Sequence, residues 1–349
     1  MVRTEPSAAD RHLIRIAAGR GLRLSPYRLE RWRTAGLIPR PGPDTLLRIG
    51  DVKVYTPETA CLVVGLLTWA PLCRTNEELA LLAFFNGVPV PPDFLRIALA
   101  KAYFPQYTRT RDRQDAELRR IPADLRDEVA PEYNWAEAAA ALDMAEYETA
   151  VGQMRDNLRR RRDLAKASRA ELDERVRGVL IWLNAPALPA HDTVFMADLR
   201  AAMAFAGPPE RSRAAWLLAA VCHSEQLADR GETSGPERLD TLLAVTDDDL
   251  ISLREQVRES MDAMCYMATE GHSRRFPVTS PATARLAGRM LVEWTTARQA
   301  YPPGSRPAQV LVDSLRSLWS LCSADRAGEG RAAFLHRTRR HVGRQGTDG

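Results

Sequence analysis

The sequence predicts a mainly α protein: an N-terminal winged helix-turn-helix with a small β-hairpin wing, followed by an all-α helical domain. Three observations predict it. Helix signals follow one another through the first hundred residues with one interruption, the β-prone runs Leu46–Ile49 and Val52–Tyr55 around Gly50-Asp51. From Asn134 onward the apolar period is helical throughout. The chain has 349 residues, 45% hydrophobic and 27% charged, enough for two or three globular cores.

Each element has its local reason. Residues 1–10 read as a flexible tail. Residues 12–19 form a short helix with Leu13, Ile14 and Ala17 on one face. Ser25 is a good N-cap, and Pro26 fits the first turn of the helix that runs to Ala35. Leu29 and Trp32 are spaced i, i+3 toward a core, and Gly36 ends the helix before Leu37-Ile38-Pro39. The cluster PRPGPD turns the chain into the hairpin. Thr56 then caps, and Pro57 begins, a helix apolar on most sides (CLVVGLLTWA), which belongs in the core. Pro71 closes it. Residues 75–85 are the next helix, and Pro89, Pro91 and Pro92 force an extended connector before a helix over 94–102.

Residues 103–133 are polar, rich in Arg and Asp, and carry Pro105, Pro122 and Pro131, so they read as a linker between domains spanning 11–102 and 134–325. In the second domain Asn134 with Glu137, and Ser168 with Glu171, resemble capping boxes. Leu172, Val176, Val179, Leu180 and Leu183 make one helical stripe. Leu250, Leu253, Val257, Met261, Met264 and Ala268 make another, and Leu311, Leu315, Leu318 and Cys322 a third. Further helices fall near 195–206, 210–229 and 281–300. Residues 326–349 read as a flexible C-terminal tail.

The charge is unevenly placed. The chain carries a net +4, yet residues 1–60 hold eleven Arg and Lys against six acids. A basic head on a neutral body suits contact with phosphate. The five cysteines (Cys61, Cys73, Cys222, Cys265, Cys322) form no CxxC pair and read as free thiols in a reducing compartment. No signal peptide and no run of about 18 apolar residues is present, so a cytoplasmic, nucleoid-associated protein with no membrane contact is expected. The six histidines show no metal-ligand spacing, and Cys222-His223 do not share a helical face. Asp247-Asp248-Asp249 read as the first turn of a helix, and Met261, Met264, Cys265 and Met267 as a core face, with a ligand pocket or partner groove as the competing account. No phosphate loop or catalytic motif stands out, so neither an enzyme nor a cofactor or metal is expected.

The stretch SPYRLERW followed by GLIPRP resembles the recognition helix and stop of the MerR family of transcription regulators. VKVY resembles that family's wing strand, with Lys53 at the basic position and Tyr55 at the aromatic one. RTNEELALLAF sits where the family has its second, Leu/Glu-patterned helix pair. The resemblance covers residues 11–100. In this chain Glu30 stands where the family has Arg, Arg28 at the position of the helix Thr, and Trp32 at the second aromatic. The resemblance implies a DNA-binding head, dimerisation and a role in transcription.

On a helix beginning at Ser25, residues Tyr27, Arg28 and Arg31 lie on or beside the face opposite Leu29 and Trp32. Arg can pair bidentately with guanine or with phosphate, and Tyr can reach phosphate. Lys53 and Arg48 on the wing would touch backbone and set register. The expected DNA-contact set is therefore Arg23, Ser25, Tyr27, Arg28, Arg31, Arg48, Lys53 and Tyr55. Arg159, Arg160, Arg161 and Arg162, ending a second helix pair, are a weaker nucleic-acid candidate, for which a solvated helix end is the competing account. Expected partners are double-stranded DNA, a second copy or another protein, and an unidentified small-molecule effector. The rival is a helical scaffold whose winged head docks protein or RNA, a reading that Glu30 favours.

Overall fold

A computed structural model describes residues 5–120, 235–268 and 275–300, with residues 141, 142, 148, 152 and 168–170. It is mainly helical and contains a two-stranded antiparallel sheet. The chain divides into two compact units. One comprises residues 1–103 and 278–288, the other 104–277 and 289–349.

In the first unit, α1 spans Ala8–Gly19. It begins before the residue expected from periodicity, because Ser7 and Asp10 form a capping box. The Asp10 N–H donates to Ser7 Oγ at 3.1 Å, and the Ser7 N–H donates to Asp10 Oδ2 at 3.2 Å. Residues 8–10 are thus helical rather than tail. Leu13 and Ala17 are buried, and α1 packs on β2 and on the third helix. The second helix, α2, spans Pro26–Ala35. The strands β1 (Leu46–Ile49) and β2 (Val52–Tyr55) pair Leu46 with Tyr55, Leu47 with Val54, Arg48 with Lys53 and Ile49 with Val52. The Thr56 N–H donates to the Thr45 carbonyl at 3.0 Å and closes the base of the hairpin.

Thr56 caps α3 (Pro57–Trp69), which ends in a 3-10 turn at Ala70–Leu72. Thr75 and Glu78 form the capping box of α4 (Asn76–Phe85). Residues 79–85 are all buried, so α4 is the centre of this unit. Gly65 lets α3 come close to the segment after α4: a Cβ there would lie 2.5 Å from Val88 Cγ2. The fifth helix, α5, spans Pro92–Leu118. It was expected to stop near Ala102, but residues 103–118, read from the sequence as linker, continue it. Pro105 removes one helical N–H, while Thr108 Oγ1 and Arg109 Nε donate to the carbonyls of Phe104 and Pro105 one turn back.

Residues 278–288 complete the first unit although sequence position assigned them to the second domain. The Asn86 side chain donates to the Val278 carbonyl at 3.0 Å, and Arg285 pairs with Glu78 at 2.7 Å. Gly288 sits against Leu81 and Leu99. This returning segment thus packs on α4 and α5, through Leu81 and Leu99.

In the second unit the described helices are the end of α5, α6 (Gly235–Ala244), α7 (Asp247–Ala268) and the later part of α8 (Pro281–Ala300). Of the expected stripe, Leu250, Leu253, Val257 and Met261 are buried, and the side chains of Met264 and Ala268 lie outside the described residues. Thr246 caps α7 by accepting from the Asp249 N–H, and the three Asp fill its first turn. Asp249 also accepts from Arg298 at 2.5 Å, and Asp262 accepts from the Phe276 N–H at 2.7 Å. Burial pushes the Asp262 carboxyl up; the Phe276 N–H only partly offsets it. The stripes at 172–183 and 311–322, the helices at 195–206 and 210–229, the capping boxes at 134 and 168 and the tail at 326–349 lie wholly or largely outside the described residues.

Candidate nucleic-acid interface

Helix α2 is fixed at both ends by its own sequence. Ser25 Oγ accepts from the Arg28 N–H at 3.2 Å, with Pro26 at the first position. Gly36 takes φ +79°, a conformation that only glycine adopts cheaply, and its N–H and that of Leu37 return to the carbonyls of Arg33 and Trp32. Leu29, Trp32, Leu37 and Ile38 are buried on one side. The other side is solvent: Tyr27 is 73% exposed, and Arg28 and Arg31 are exposed with it. The Arg28 guanidinium lies 6.0 Å from the centre of the Trp32 ring one turn on, at the edge of cation–π range. Arg23 is exposed in the turn before the helix.

On the hairpin, Arg48 and Lys53 are directly opposed and both exposed. Opposed side chains share one face of a sheet, so the pair concentrates positive charge there. Arg48 Nε donates to the Gly50 carbonyl at 3.1 Å, and Arg48 lies 3.5 Å from Asp51. Gly50, at φ +59°, permits the tight turn.

Tyr55 is placed differently from the expectation. It is 4% exposed, under α1 rather than beside Lys53 at the surface. Its hydroxyl donates to Asp10 Oδ1 at 3.3 Å and accepts from Arg33 Nη2 at 2.6 Å. Arg33 and Asp10 are directly ion-paired, and the Arg33 guanidinium lies 5.7 Å from the Tyr55 ring centre. Asp10, Arg33 and Tyr55 thus tie α1, α2 and β2 together. Burial pushes the Asp10 carboxyl up, but the hydrogen bonds from Arg33 and Ser7 outweigh it and hold the group below its ordinary value. Burial would lower Arg33, yet Asp10, Tyr55 and Glu30 hold it above its ordinary value. Burial pushes the Tyr55 phenol up to about 12, against the pull of Arg33. Ser25, too, is occupied, as a cap. Glu30 has a structural partner, Arg33 at 3.5 Å.

The sequence held a signal for this cluster that motif reading passes over. Arg33 is four residues from Leu29, and Asp10 three from Leu13, so periodicity puts both charges on apolar faces. A buried charge demands an opposite one. Arg159, Arg160, Arg161 and Arg162 lie outside the described residues. Among the described residues, no group of three or more His, Cys, Asp or Glu is placed to hold a metal, and no helix is long and apolar enough to cross a membrane. No family model, curated protein or solved structure matches this chain.

Proposed function

We propose that this protein binds double-stranded DNA sequence-specifically and regulates transcription, with α2 entering the major groove and the β1–β2 hairpin acting as a wing on the flanking backbone, in a MerR-like winged helix-turn-helix. The observation that carries the reading is the division of α2: Leu29 and Trp32 buried, Tyr27, Arg28 and Arg31 exposed. A helix anchored on one side and bearing adjacent arginines on the other supplies bidentate donors for guanine edges or phosphates. Arg48, Lys53 and Arg23 would position the head through phosphate contacts. Tyr55 and Ser25 serve the head by holding α2 and the wing rather than by touching DNA.

A single module of this kind buries only about 600–1,000 Å². Site selection therefore calls for a dimer or another protein, and a symmetric dimer would read half-sites about 34 Å apart. The helical body is the place for that association and for an effector. Footprinting on the DNA beside its own gene tests the reading. Protection of two spaced half-sites is expected; failure to retain any duplex at low salt refutes it.

A further inference from the structure

An acid sits in the middle of the face that α2 turns to solvent. Tyr27, Glu30, Arg31 and Thr34 are joined by i, i+3 and i, i+4 spacings, so they form one contiguous patch, and all four are exposed. The patch lies opposite Leu29, Trp32 and Arg33, the buried residues of the helix. Arg28 stands at its margin, with its guanidinium 6.0 Å from the Trp32 ring centre. The Glu30 side chain is 63% exposed. Its Oε2 lies 3.5 Å from Arg33 Nη1, at the outer limit of a hydrogen bond. Arg33 is itself held by Asp10 and Tyr55. The buried cluster thus restrains the carboxylate on the helix surface without consuming it, since a carboxylate accepts about four hydrogen bonds.

We propose that Glu30 is a specificity-determining residue that selects cytosine in the major groove by accepting a hydrogen bond from its N4 amino group. This deepens the DNA-binding reading above and rests on it. Any groove that admits Arg31 also admits Glu30, its neighbour in the patch. Against DNA, a carboxylate without a donor is repelled by the phosphates and by every acceptor on a base edge. Of the four base edges in the major groove, cytosine alone presents a donor with no acceptor beside it. Adenine sets N7 next to its amino group, guanine offers two acceptors, and thymine offers an acceptor and a methyl group. Glu30 therefore works in both directions, pairing with cytosine and penalising the other three bases. The arginines hold the helix on any duplex, and the acid between them rejects the wrong one.

The test selects duplexes from a randomised pool with the full chain at low salt, for wild type, Glu30→Ala and Glu30→Gln. Both variants should keep the wild-type far-ultraviolet circular dichroism, since Asp10 and Tyr55 still hold Arg33. Sites retained by wild type should share a position at which cytosine is required, and replacing that cytosine should weaken binding on the order of tenfold or more. Glu30→Ala should lose the preference at that position alone. It should also bind duplexes lacking that cytosine more tightly than wild type does, a gain that a merely structural role would not give. Glu30→Gln, which carries a donor as well as an acceptor, should admit adenine there. A wild-type chain that binds duplex but requires cytosine nowhere overturns this inference alone. So does a Glu30→Ala chain whose selected sites match those of wild type at every position, because the preference then belongs to the arginines. A wild-type chain that binds no duplex overturns the DNA reading, and the role of Glu30 with it.

Discussion

Replacing Arg33 with Met removes the centre of the polar cluster while keeping a long unbranched side chain suited to a helix. Arg33 is 9% exposed and serves Asp10, Tyr55 and Glu30 at once. Its loss strands the Asp10 carboxylate, 8% exposed, with only the Ser7 N–H and the Tyr55 hydroxyl as donors. Breaking a buried pair from one side costs about 3–5 kcal/mol, and those two remaining donors put this case at about 3. Because the chain has two units, a single unfolding transition is a poor readout, and hydrogen exchange resolved by peptide is better. Exchange in α1, α2 and β2 should accelerate on the order of a hundredfold, with α7 unchanged. Adding Asp10→Ala should cost less than the sum of the singles by about 1–3 kcal/mol, since it removes the stranded charge. An Arg33→Met chain whose exchange in these three elements stays within about threefold of wild type would refute the claim that the cluster holds them together.

Titration follows from the same cluster. Asp10 is held below its ordinary value, so its contribution is present at neutral pH and is lost as pH falls through that lowered value; Asp10→Asn should remove this acid sensitivity in an acid-unfolding curve. Tyr55 is raised to about 12, so stability is full below the unfolded phenol value of about 10 and is lost as pH rises between the two. Tyr55→Phe should flatten that alkaline loss, read by far-ultraviolet circular dichroism. Gly65→Ala would drive a Cβ to 2.5 Å from Val88 Cγ2 and 2.8 Å from Cγ1. Overpacking of about 1–3 kcal/mol should exceed the roughly 1 kcal/mol gained in helix propensity. Exchange in α3 should then rise, and Val88→Ala should restore it.

Local chemistry was the legible part. Ser25-Pro26 with Gly36, Thr56-Pro57 and Thr75 each carry their own start or stop signals, and the helices they bound lie where those residues put them. The strands flanking Gly50-Asp51 are equally local. What lay beyond reading depends on contacts between distant residues. Tyr55 meets Asp10 across 45 positions, so a strand aromatic that reads as surface is buried. Val278 meets Asn86 across 192, so a late segment packs with early helices. Pro105 misled in the other direction. A proline is a local stop signal, yet the helix runs past it to Leu118. For the candidate site, exposure of Tyr27, Arg28 and Arg31 followed from helical period, whereas the opposition of Arg48 and Lys53 needed the strand register and the hidden role of Arg33 needed its partner in space.

The central claim, that α2 and the wing grip DNA, is tested most directly by titrating the affinity of the full chain for random duplex with salt. Five exposed cations, Arg23, Arg28, Arg31, Arg48 and Lys53, set the expected slope. At about 0.9 per phosphate neutralised, log affinity against log salt should fall with a slope near −4.5, a loss of roughly 500-fold for a fourfold rise in salt. Arg28→Ala/Arg31→Ala should weaken binding with the fold intact and make that slope shallower by about one to two. A flat salt dependence in wild type, or a double variant that binds as wild type does, would contradict the account.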